Sequence, residues 1–145
     1  MRSFLVVLFL ICAVAFGCKQ YSTGLQQSSS RADETSAIAT LRTVAQAQAT
    51  YSISNTGNYG TFEQLAEGGF LDSRFSHSNP EFHGYVFTMN VTSPSGPELG
   101  SYACNADPAA TSPHGGRHFY IDSSSYNIRV NATQTATSKD EILRP

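Results

Sequence analysis

The chain has 145 residues, with 9 basic and 11 acidic side chains and a formal net charge of −2. That balance excludes the clustered Lys and Arg of a nucleic-acid-binding surface, so no nucleic-acid partner is expected. Three cysteines exclude a dense disulfide scaffold and a four-Cys zinc site, and the length points to one domain.

Arg2 precedes an unbroken apolar run from Phe4 to Phe16. Such a run makes about 20 Å of helix, whereas a bilayer core of about 30 Å needs roughly 20 residues. A positive start, a short apolar stretch and small residues at its end describe a secretory signal peptide over residues 1–17. Ala15-Phe16-Gly17-Cys18 resembles a bacterial lipobox, although Phe16 stands where that pattern usually has a small residue. The resemblance implies lipidation of Cys18, on its sulfur and on its new amino terminus. The rival is Ala13-Val14-Ala15, a site for ordinary signal peptidase, which would free a soluble chain starting at Phe16. The lipobox is preferred because Gly17-Cys18 sits where apolar residues give way to polar ones.

Residues 18–32 read as a flexible tether, since Lys19 to Ser30 shows few apolar residues and no periodicity. Twelve such residues reach about 20 Å, enough to hold a domain clear of lipid head groups. Acyl chains contribute about 0.8 kcal/mol per buried methylene, and several together anchor stably.

The domain is expected over residues 33–131. Ser30 is a candidate helix cap, and Asp33 and Glu34 suit the positive end of the helix dipole. Ala37, Leu41, Val44, Gln48 and Tyr51 then share one stripe, with Ile38 and Ala45 beside it, predicting a helix from about Asp33 to Ser52. Thr61-Phe62-Glu63-Gln64 is a capping box for a short second helix, with Gly68-Gly69 just past its end. Residues 72–83 read as polar loop. Strands follow at Tyr85–Val91, Ser101–Ala106, His118–Ile121 and Tyr126–Val130. The residues 132–145 form a polar tail that is expected to fray. The expected fold class is α+β, a long N-terminal helix packed on a three- to four-stranded antiparallel sheet.

Little in the chain reads as catalytic. His114 and His118 have the count of a zinc-helix pair, but Gly115-Gly116 between them opposes a helix and no acid follows His114. His77 and His83 are the remaining histidines, and all four read as loop or strand-edge residues. Cys104 falls mid-strand and reads as a buried, unpaired apolar residue. Without lipidation, Cys18 and Cys104 would both be free and could pair. Tyr59, Phe62, Phe70, Phe75 and Phe82 read as filling a small loop core. No cofactor, metal or catalytic residue is expected, and the chain is read as non-enzymatic.

The pieces in order resemble type IV pilin-like and pseudopilin-like globular domains. The resemblance rests on Glu34, Ala37, Leu41-Arg42-Thr43, Gln46 and Thr50-Tyr51 in the helix, then Phe62-Glu63-Gln64-Leu65 and Gly84-Tyr85-Val86-Phe87. Asn105-Ala106-Asp107-Pro108, Arg117 to Asp122 and Ile128-Arg129-Val130-Asn131 continue it. It implies a pilin-like fold and protein partners in a type IV pilus or type II secretion-like system. One departure bears on function. Prepilins keep a long apolar segment after their cleavage site, whereas here the apolar run precedes Cys18. A chain without that stalk does not enter a filament by the usual route. The implied protein is a lipid-anchored, periplasm-facing component of the bacterial cell envelope. Lys19 after Cys18 favours the outer membrane if the host has two membranes. The alternative is a soluble periplasmic or secreted ligand-binding module released at Ala15.

Overall fold

The computed structural model describes residues 27–96, 98–112 and 116–144 in full; for residues 2–26 it gives the course of the backbone alone. The expected signal peptide and the expected tether up to residue 26, with Cys12 and Cys18, therefore have no described side chains, and His114 lies outside the described residues.

Helix α1 is Arg2–Ser54. The sequence reading starts it at Asp33, yet residues 27–32 are already helical. No Gly or Pro occurs between Leu25 and Thr56. Adding a residue to an existing helix is far easier than nucleating one, so the serines are carried along and Ser30 does not act as a cap. Further along, Thr35 Oγ1 donates to Arg31 O at 2.8 Å and Ser36 Oγ to Ala32 O at 3.0 Å. Hydroxyls satisfied this way do not compete with the helical ladder. The helix stops where Gly57 takes φ 85° and its N–H donates to Ser52 O at 2.8 Å. A glycine in the left-handed region is the usual way to close the last carbonyls.

Helix α2 is Phe62–Glu67 and carries the expected capping box. Gln64 N donates to Thr61 Oγ1 at 3.3 Å, and Thr61 N donates to Gln64 Oε1 at 2.9 Å. A single 3-10 turn at Ser73–Phe75 is capped by Asp72.

The strands are β1 (Glu81–Phe82), β2 (Tyr85–Thr92), β3 (Ser101–Pro108), β4 (His118–Asp122), β5 (Ser125–Asn131) and β6 (Glu141–Ile142). They form one antiparallel sheet in sequence order. The four expected strands are β2 to β5, and the sheet has six rather than three or four. The two additional strands are edge pairs of two residues each, too short for an alternating pattern to appear in sequence. β1 turns into β2 through His83 and Gly84, at φ 47° and 71°. Two successive positive φ values suit a tight hairpin whose twist matches its strands.

One sheet face meets α1. Ala37, Leu41, Val44 and Ala45 from the helix form one buried core with Tyr85, Phe87, Cys104, Ala106, Phe119, Ile121 and Ile128, and Gln48 is buried on the same helix stripe. Full burial of each large apolar side chain contributes about 1.5–3 kcal/mol, so this interface dominates the stability. A chain of aromatic rings extends the core under the loop of residues 72–83: Phe62–Phe75 at 5.5 Å, Phe75–Phe82 at 5.0 Å and Phe82–Phe87 at 5.8 Å.

The tail does not fray. Asn105 Nδ2 donates to Ala136 O at 2.7 Å, and Ala136 is buried against the outer sheet face. Asn131 Nδ2 donates to Asp140 Oδ1 at 2.8 Å, and Arg129 Nη1 to Asp140 O at 2.8 Å. Asp140 in turn accepts from Thr137 N at 2.7 Å. Backbone pairing and these side-chain ties order the segment without much apolar burial, which is why hydropathy alone misjudges it.

Candidate functional site

Two ends of the domain differ in chemistry. At the end where the described part of α1 begins, Glu34 reaches Arg117 at the entrance to β4. Arg117 donates from Nη2 at 2.8 Å, from Nε at 3.1 Å and from its backbone N at 3.1 Å. Burial pushes the Glu34 carboxyl up, but the Arg117 bonds outweigh it and hold the group below its ordinary value. Tyr85 OH donates to Arg117 O at 2.9 Å, fixing the same loop from the core side. A side chain at Gly116 would run into that phenol, so glycine is required there by space. Next to it, Asp107 and His118 lie across the β3–β4 pair, with His118 Nδ1 at 2.5 Å from Asp107 Oδ1. A groove of about 550 Å³ beside this junction is lined by Gln27, Arg31, Glu34, Ile38 and Arg117, among others.

The junction positions α1 against the sheet through a three-donor clamp on one carboxylate. Charge-assisted bonds of this forked kind fix geometry as well as adding energy. Its charges of both signs suit a polar protein contact more than an anion or cation site.

The residues singled out from sequence fall as follows. His118 is held by Asp107. His77 and His83 are exposed. Among the described residues, no group of three His, Cys, Asp or Glu side chains is placed to hold a metal ion. Cys104 is free and fully buried, and burial pushes its thiol well above the ordinary value, the behaviour of an inert apolar residue. Phe62 and Phe75 are buried, and Phe70 and Phe82 pack against the same core. Tyr59 instead packs on Tyr102 with ring centroids 5.0 Å apart and ring planes inclined by 58°, near the far end of the sheet. Tyr102 OH is buried with no partner among the described residues.

The Glu34–Arg117 clamp escaped the sequence reading. Glu34 was read as a dipole residue, and the 83 positions between the partners carry no periodic signal linking them. Gln48 was placed on the buried stripe, but its partner was not visible. Its Nε2 donates to Gly60 O at 2.6 Å, and Gly60 N donates to Gln48 Oε1 at 3.0 Å. No family model, curated protein or solved structure matches this chain.

Proposed function

We propose that this chain is a non-enzymatic lipoprotein of the bacterial cell envelope, whose pilin-like domain serves protein–protein interaction in or beside a type IV pilus or type II secretion-like system. The observation that carries the reading is the order of the pilin-like sequence pieces over residues 33–131. It is supported by their placement on a long helix packed across an antiparallel sheet. Lipid on Cys18 holds the chain to a membrane, and the tether sets the distance between the lipid and the globular part. The Glu34–Arg117 junction lies near the start of the described part of α1, so helix and sheet move as one body relative to the proposed anchor.

The apolar run of residues 4–16 precedes Cys18 and leaves with the signal peptide, so the mature chain docks on an assembly and does not polymerise. In-membrane cross-linking of the tagged chain, followed by solubilisation and mass spectrometry, tests this. Pilin-class or secretion-platform proteins joined to it are expected. Cross-links only between copies of the chain, or to unrelated abundant lipoproteins alone, would overturn the assignment.

A further inference from the structure

The far end of the domain carries a groove of about 710 Å³ between the α1–α2 connection and the end of β2. We propose that this groove binds a neutral oligosaccharide. Of its ten lining residues, seven are Ser, Thr, Asn or Gln, two are tyrosines, and none is charged. Val91 is the single aliphatic one. Two other grooves among the described residues differ in this respect, since one holds Arg31, Glu34 and Arg117 and the other Asp72 and Arg74.

The hydrogen-bonding capacity left in the groove matches sugar hydroxyls. Asn55 Nδ2 donates to Tyr51 O at 2.9 Å, and Asn58 Nδ2 donates to Asn55 O at 2.8 Å and to Thr56 Oγ1 at 3.3 Å. Their Oδ1 atoms remain to accept. Gln64 does the reverse: its Oε1 is taken by Thr61 N, and its Nε2 has no partner among the described residues. Acceptors and a donor thus stand side by side, as a ligand made of alternating hydroxyls and ring oxygens requires. Tyr59 supplies an apolar ring with a polar tip, and its tilted contact with buried Tyr102 keeps that ring in place.

Electrostatics selects against charged ligands. Helix α1 ends at this groove with no basic residue in its last turn. No cation therefore offsets the partial negative charge at that end, which disfavours anionic ligands. A peptide ligand would need an apolar recess for its side chains, and Val91 alone does not make one. The proposal is independent of the pilin-type reading, since it uses only the lining of the groove.

The test is calorimetric titration, with backbone amide shifts, of the full chain in a sugar-free detergent. The probes are chitotetraose, an amino-sugar chain, and cellotetraose, a plain glucan. At least one is expected to bind with a dissociation constant of about 1 mM or tighter, shifting Asn58, Tyr59 and Gln64. Preference between the two distinguishes an N-acetylated source from an unmodified glucan. Ser93→Arg, at an exposed rim position, and Tyr59→Ala are each expected to weaken binding at least about tenfold. Tyr59→Ala also removes a packed ring, so Ser93→Arg carries the decision if that variant unfolds. Absence of heat and shifts with both sugars at about 10 mM would overturn the proposal. So would unchanged affinity in Ser93→Arg, or a sulfated tetrasaccharide binding as tightly as the neutral ones.

Discussion

Replacing Gln48 by Ala is expected to be the most damaging polar-to-apolar change in the helix. Gln48 is fully buried in the helix–sheet interface, and its amide makes two bonds with Gly60 while resting against Met89 Sδ at 2.9 Å. Gly60 is itself buried, and among the described residues its N–H and C=O have no other partner. The substitution orphans both groups, at about 1–3 kcal/mol each. It also opens a cavity, although a polar void of this size can admit water and recover part of the loss. The net expectation is about 3–5 kcal/mol, a large share of the roughly 5–15 kcal/mol that holds a domain of this size. That corresponds to a fall in Tm of about 12–20 °C. Far-UV circular dichroism during urea unfolding measures it, since the chain has no Trp to report by fluorescence. Gln46→Ala, exposed on the same helix, is the control and should stay within about 0.5 kcal/mol of the parent. Loss of under about 1 kcal/mol in Gln48→Ala would refute the claim that this amide ties the α1–α2 connection to the core.

Cys104 should react with a thiol reagent only as fast as the chain unfolds, and rapid labelling under native conditions would contradict its burial. Glu34 has a folded-state pKa held below its ordinary 4.5, so its contribution is present above that value and is lost as pH falls through the folded pKa. Glu34→Gln should accordingly lower stability at pH 7, where the ionised clamp is fully formed, and flatten the acid side of the stability–pH profile so that the two proteins converge at low pH; an unchanged acid limb would refute the clamp. Ala136→Glu forces a carboxylate into a buried site on the outer sheet face and should cost about 2–4 kcal/mol. Limited proteolysis should then cut within residues 132–140, where the parent resists; equal resistance would show the tail is not held there.

The regular parts of the fold are legible in the sequence because period and chemistry coincide there. The stripe from Ala37 to Gln48 lies on the sheet, the Thr61–Gln64 box caps α2, and the alternation in Tyr85–Val91 sets the inward face of β2. What escapes is either too short or too distant. β1 and β6 have two residues each, so no alternation can show. The start of α1 was misplaced because a run of serines was read as tether, when the absence of Gly and Pro was the better guide. The tail was judged by hydropathy, whereas polar ties to Asn105, Arg129 and Asn131 order it. The Glu34–Arg117 and Gln48–Gly60 contacts depend on which faces meet in three dimensions. The proposed lipidation site, Cys18, rests on the sequence alone, by its position at the end of the apolar run.

The central claim is that this domain reaches its partners from a lipid anchor. Intact mass of the chain recovered from its native membrane, with and without Cys18→Ser, tests that most directly. The account predicts a chain beginning at Cys18 and carrying acyl groups, with those groups absent from the Cys18→Ser protein. An unmodified chain beginning at Phe16 would contradict it.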